Sequence, residues 1–167
     1  MFEGQAHFRF PTQIDFGSKS IEKLPEIFKK NHLKRPMIVT DQTLVSLPVF
    51  SKVRETLTRA NLASVVYSDA HGNPIESQVT AGVQKFRETK ADSLILFGGG
   101  CALDVGKAIA LMVYHPGKLF DYEDGQVDQN EFNREIPFML AIPSTAGTGS
   151  EVGGSAVISS DDDHKKV

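Results

Sequence analysis

Apolar residues along the chain fall into two alternating patterns. Short continuous runs at Met37–Thr40, Ala63–Tyr67, Ser93–Phe97 and Phe138–Ile142 have the length and β-branched content of buried strands. Between them, apolar residues recur at helical spacing. Ile21, Leu24, Ile27 and Phe28 form one such face, with Pro25 starting or kinking its second part. Val53 and Leu57 form another, with Ser51 as a predicted cap. Val79, Val83 and Phe86 form a third, with Asn73-Pro74 as predicted Ncap and first helical residue. Cys101–Val113 is apolar on nearly every side except at Asp104 and Lys107, and His115-Pro116-Gly117 closes it. Residues 7 to 16 read as two short strands split by Pro11-Thr12, a hairpin at a sheet edge. Residues 118 to 136 read as an irregular polar loop. Ala156–Ser159 reads as a strand, residues 160 to 164 as a polar turn, and residues 165 to 167 as the start of a returning arm. A hairpin with one complete arm predicts that the natural protein continues.

Strands alternating with helices predict a parallel α/β sheet, Rossmann-like, with helices on both faces and the hairpin at its N-terminal edge. Ligands in such sheets bind beyond the carboxyl ends of the strands. Asp41, the Gly72-Asn73-Pro74 turn, Gly98-Gly99-Gly100 and Pro143–Ser150 all fall at those ends. Strand, glycine turn and helix N-terminus together suit a phosphate, because first-turn N–H groups are unpaired, the helix dipole favours an anion, and glycine admits close approach. Neither standard phosphate loop is matched. Leu103 holds the third position of G-x-G-x-x-G, and five residues rather than four separate Gly100 from Gly106-Lys107, with Ala108 following. A ligand-free αβ turn is the competing reading, although such a turn needs only one glycine. Convergence of the four stretches on one edge predicts an extended ligand with an anionic centre, and a dinucleotide fits.

The composition narrows the class. The 167 residues are 40% hydrophobic and 23% charged with net charge −3, one globular domain's worth of chain. No basic stripe points to nucleic acid, and no apolar span or signal pattern points to a membrane. Cys101 is the only cysteine, which excludes an internal disulfide and fits a cytoplasmic, reducing location.

Several single residues carry two readings each. Asp41 can accept bonds from ribose hydroxyls and repel a 2′-phosphate, favouring NAD over NADP, or it can cap the segment from Gln42 to Leu47. Asn73 is a cap or a ligand contact. Ser144, Thr145 and Thr148 are hydroxyls among glycines, in a solvated turn or against a ligand. Asp104 and Lys107 lie three apart and can pair with each other. Cys101 at a helix N-terminus is either a thiol of lowered pKa or a small residue that leaves room for phosphate. The five histidines, His7, His32, His71, His115 and His164, are dispersed with no two at a helical ligand spacing, and Asp161-Asp162-Asp163 reads as a solvated turn.

The combination of VTDQTL around Asp41, Asn73-Pro74, GGGCALDVGKAIA at Gly98–Ala110 and IPSTAGTGSEV at Ile142–Val152 resembles the amino-terminal half of the iron-containing (group III) alcohol dehydrogenases. The resemblance implies a cofactor-binding domain over residues 1 to 167, with the family's all-helical metal domain absent from this chain. It implies NAD as cofactor, NADP less so, and a small alcohol or aldehyde as substrate of the full-length protein, with a homo-oligomer left open. Asp41 would contact the adenosine ribose, Asn73 would lie near the cofactor, and Gly99, Gly100 and Cys101 would hold the pyrophosphate. Asp104, Ser144, Thr145 and Thr148 would flank the phosphate and nicotinamide end, and Lys166 would approach the nicotinamide ribose. Fe²⁺ or Zn²⁺ is expected only with the missing domain, whose Asp and His ligands this chain lacks. By itself the chain would then hold the hydride acceptor without activating the alcohol. Three positions depart from the pattern: Cys101 replaces the usual Ser, Gly106 stands where Ala is common and loosens the helix, and Gly72 replaces a proline. The alternatives are a stand-alone nucleotide-binding module, a dehydroquinate-synthase-type lyase or a glycerol-dehydrogenase relative. The Ser-Thr-Ala-Gly-Thr-Gly-Ser-Glu run argues against the last two.

Overall fold

A computed structural model describes residues 12 to 123 and 134 to 162. Four parallel strands, β1 (Pro36–Val39), β2 (Val65–Tyr67), β3 (Ser93–Gly98) and β4 (Phe138–Pro143), form one sheet in the order β2-β1-β3-β4. The helices are α1 (Leu24–Lys30), α2 (Gln42–Val45), α3 (Pro48–Arg59), α4 (Glu76–Glu88) and α5 (Gly100–Tyr114), with short 3-10 turns at Ser20–Lys23 and Leu119–Tyr122.

Alternation along each strand divides the core in two. Met37, Val39, Leu94 and Leu96 face α4 and α5, packing with Val79, Phe86, Leu103 and Ile109. Ile38, Ile95 and Phe97 face α1 and α3, packing with Leu24, Phe28, Phe50 and Leu57. Helices therefore cover both faces, as the alternating pattern predicts, and β1 and β3 have no exposed residue. From β1 the chain first adds β2 on one side and then β3 on the other. The strand order reverses between β1 and β3, the point at which sheets of this kind form a crevice beyond the carboxyl ends of their strands.

Some expected elements differ. Residues 12 to 16, the second arm of the expected hairpin, form no strand, and the first arm lies outside the described residues. Ile14 and Phe16 alternate as strand residues would, but both remain largely exposed, so no burial holds this segment on the sheet. Ala156–Ser159 contributes a single parallel bridge, Ile75 to Ser159, in place of a strand. Residues 118 to 136 include the 3-10 turn at Leu119–Tyr122, where Asp121 accepts a bond from the Lys118 N–H at 2.7 Å. Two caps also move. The helix expected from Ser51 starts at Pro48, with proline in its first turn, and α4 starts two residues beyond Pro74. Pro25 does start α1.

Gly106 does not loosen α5, which runs unbroken from Gly100 to Tyr114. A Cβ at Gly106 would lie 2.2 Å from Leu96 Cδ2 and 3.0 Å from Leu96 Cγ, so the missing side chain lets the helix lie directly on β3. Overpacking a core costs about 1–3 kcal/mol, against a helix-propensity gain of about 1 kcal/mol for alanine over glycine. Gly106→Ala should therefore lower stability despite alanine's preference for helix. Urea unfolding checks this, and a raised midpoint would show that Leu96 has room to turn away.

Candidate functional site

The site is built where β1, β3 and β4 end. Gly98 pairs with Pro143 at the last step of the β3–β4 ladder, and the Ser144 N–H then bonds the Gly98 carbonyl at 2.8 Å. This extra bond carries the ladder past both strands and brings the loop after β4 against the glycine turn. Gly98 has φ 155°, and a Cβ there would stand 2.7 Å from Ala102 Cβ, so only glycine makes this turn. Gly99 is the Ncap of α5, and no side chain caps that helix. Its leading amides thus face the crevice without a side-chain partner, the arrangement that attracts an anion. A Cβ on Gly99 would meet Thr145 Oγ1 at 3.3 Å, and one on Gly100 would meet Thr148 Cγ2 at 3.0 Å. Thr145 and Thr148 therefore line the crevice opposite the two glycines, while Ser144, Thr145 and Thr148 themselves remain exposed.

Asp41 takes both readings at once. It caps α2, accepting from the Leu44 N–H at 2.9 Å, and it lies half-buried beyond the end of β1. Among the described residues it has no cationic partner, so its carboxylate charge is uncompensated. Next to it Thr40 is fully buried, and its hydroxyl has no hydrogen-bond partner among the described residues. Sequence reading passed over Thr40 because its threonine looks like the last residue of a strand.

Burial is the main force on the Cys101 thiol. Together with the carboxylates of Asp104 and Asp41 it pushes the pKa up to about 11. The helix dipole does not prevail, and Cys101 stays a neutral thiol at physiological pH. A raised pKa runs against the reading of an activated thiol.

Asp104 and Lys107 pair at 3.2 Å as their spacing suggests, and Ser150 completes the cluster by donating its hydroxyl to Asp104 Oδ1 at 2.5 Å. Lys107 Nζ also bonds the carbonyls of Ser150, at 3.1 Å, of Gly153 and of Ser155. These bonds clamp the segment after β4 onto α5. Asp104 thus acts inside the protein first, and its charge is neutralised there.

Asn73 is exposed, and the Ncap of α4 is Ile75 rather than Asn73. Its turn is held from below by Gln78, which donates to the His71 carbonyl at 2.8 Å and accepts from the Ile75 N–H at 3.4 Å. The start of α4 is capped instead by Asp161, whose carboxylate takes the Ser77 N–H at 2.7 Å and the Ser77 hydroxyl at 2.8 Å. Asp163 lies outside the described residues; Asp161 and Asp162 lie in an exposed turn, as their composition suggests, and from that turn Asp161 also caps α4. No local signal links residues 84 positions apart, so this contact is invisible in the sequence. Lys166 lies outside the described residues.

A cavity of about 620 Å³ also opens beside the distal half of α5, lined by Leu111, His115, Phe120 and Met139, but it includes neither the glycine turn nor Asp41. Among the described residues no group of three or more His, Cys, Asp or Glu side chains could hold a metal ion, so no residue here is assigned to one. Among them, too, no helix is long and apolar enough to cross a membrane.

The chain is similar to known proteins. The family model for iron-containing alcohol dehydrogenase matches residues 11–167. Alcohol dehydrogenase 4 of Saccharomyces cerevisiae is 32% identical over 96% of this chain and 40% of its own length. Lactaldehyde reductase of Escherichia coli strain K12 is 33% identical over 90% of this chain and 39% of its own. The crystal structure of sulfoacetaldehyde reductase from Bifidobacterium kashiwanohense in complex with NAD⁺ superposes with a TM-score of 0.83 at 27% identity, covering 99% of this chain and 43% of that one. The chain spans about 40% of the length of the curated relatives it matches. With its glycine turn, its paired threonine loop and its strand order all in place, the chain belongs to the iron-containing alcohol dehydrogenase family.

Proposed function

We propose that this chain holds NAD across the crevice between β1 and β3, as the nucleotide-binding part of an alcohol dehydrogenase or aldehyde reductase. The observation that carries the reading is the cradle at Gly99 and Gly100. It is an uncapped helix N-terminus at the reversal of strand order, with space that a Cβ on either glycine would take from Thr145 or Thr148. The NAD⁺ complex of the structurally similar sulfoacetaldehyde reductase supports the choice of ligand.

In this reading the amides of Gly99, Gly100 and Cys101 receive the pyrophosphate, and the neutral Cys101 thiol adds no repelling charge. Asp41 accepts the ribose hydroxyls with the carboxylate lone pairs that Leu44 leaves free. Asn73 borders the cofactor, and Ser144, Thr145 and Thr148 flank its phosphate and nicotinamide end. Asp104 supports that loop through Ser150, and Lys166 completes the assignment at the nicotinamide ribose. Bound NAD supplies a hydride acceptor for an alcohol, or in reduced form a donor for an aldehyde. The chain's own residues orient it and exclude competing anions. No described residue is assigned to Fe²⁺ or Zn²⁺. A lone cysteine kept as a thiol fits a cytoplasmic setting.

Isothermal calorimetry with NAD tests the cradle. Gly100→Ala alone would press on Thr148 Cγ2, so it is paired with Thr148→Ser, which removes that methyl group. The double variant should fold as the parent does yet bind NAD at least tenfold more weakly, about 1.4 kcal/mol. Unchanged affinity would place the phosphates elsewhere.

Cofactor choice tests Asp41. Its uncompensated carboxylate should favour NAD over NADP, and Asp41→Gly should narrow the difference by removing the repulsion. Glycine is the substitution to use because it costs an Ncap only a few tenths of a kcal/mol. Titration of both cofactors against both proteins reads the result. Equal affinities in the parent, or a preference for NADP, would remove Asp41 from the ribose site.

A further inference from the structure

The segment that follows the threonine loop is fastened at two distant places. At its start, Lys107 on α5 gathers the carbonyls of Ser150, Gly153 and Ser155 while Asp104 takes the Ser150 hydroxyl. At its far end, the Ser159 N–H bonds the Pro74 carbonyl at 2.8 Å and the Ser159 carbonyl receives the Glu76 N–H at 3.1 Å. Asp161 then caps α4 through both donors of Ser77. Ile158 and Ser159 are buried between these ends, and Ala156 packs against the core shared by α4 and α5. Residues 150 to 161 thus cross from the first half of α5 to the first turn of α4. One end adjoins the loop opposite the glycine cradle, and the other holds the Asn73-Pro74 turn.

We propose that this segment is a strap that sets the position of the Asn73-Pro74 turn relative to the glycine cradle, with Lys107 and Asp161 as the positioning residues for cofactor binding. The inference rests on the reading that NAD lies across this edge. Lys107 has three N–H donors facing three carbonyls and a carboxylate, and its side chain is only 10% exposed, so it works on the protein and not on the ligand. Asp161 bonds Ser77 at the start of α4, two residues beyond Ser159, whose backbone is paired with Pro74 and Glu76. A dinucleotide touches groups on several elements at once, so a small displacement of one turn against another weakens it.

The test measures NAD affinity by calorimetry for Lys107→Met, Asp161→Ala and the double variant, within the folded baseline of each thermal melt. Each single change should raise the Kd about fivefold or more, and Asp161→Asn, which keeps a carbonyl acceptor, should recover much of the loss. The double variant should stay within about twofold of the weaker single, since releasing either end already frees the strap. A Kd unchanged in both singles overturns the proposal and leaves a structural role alone. Losses that simply add overturn it as well, because they describe two independent anchors. Asp161→Ala alters an exposed side chain and decides the matter alone should Lys107→Met not fold. A parent chain that fails to bind NAD defeats the cofactor reading and this inference with it, whereas a parent that binds and variants that match it defeat only the strap.

Discussion

The position of β3 sets the geometry of everything around it. All six of its residues are buried, and it is paired on one side with β1 and on the other with β4. Helix α5 leaves it after a single glycine turn and lies back along it, close enough that Leu96 occupies the place of a Gly106 side chain. A strand held on both edges and both faces cannot shift without disturbing the whole core. Its last residue, Gly98, therefore delivers the start of α5 to a fixed point, and the Ser144 N–H locks the neighbouring loop to that same point. The glycines and threonines meet because both walls of the crevice grow from the end of one ladder, between β3 and β4.

What the sequence reveals about this fold follows the range of the forces involved. The four strands and the three longest helices announce themselves through apolar runs and helical spacing, because burial of Val39, Leu57, Val83 or Ile95 is a property each residue carries locally. The glycine turn and the Asp104–Lys107 pair are also local and were equally legible. Helix starts were less so. Ser51 and Asn73 have good capping chemistry, but Pro48 and the distant Asp161 supply the actual starts. The same holds for Ala156–Ser159, whose strand-like composition meets only one bridging partner. Contacts between residues far apart in sequence, such as Ser77 with Asp161 or Lys107 with Ser155, leave no pattern in a single chain. They decide how the edge is braced, whereas the local patterns decide where the edge is.

Charge at the crevice poses a problem that this arrangement resolves. Asp41 and Asp104 are both close enough to raise the pKa of Cys101, so an anionic ligand held at the glycine turn, as proposed, would meet two carboxylates. Lys107 could offset them by reaching the ligand, yet its ammonium is committed to Asp104 and to three carbonyls. Asp104 is thereby neutralised in place, and Asp41 alone retains a free charge. Attraction for phosphate must then come from the backbone amides and dipole of α5, worth about 0.3–1 kcal/mol at an exposed terminus and up to about 2 kcal/mol where partly buried. Such dipoles are directional and short in range, whereas a free lysine would draw any phosphate. Under the proposed reading, a site built from amides with Asp41 at the ribose end would accept a pyrophosphate placed in line with α5 and would resist added negative charge beside Asp41. In that reading, selectivity among nucleotides would arise from the balance of the helix terminus against Asp41, while Lys107 holds the loop beside them.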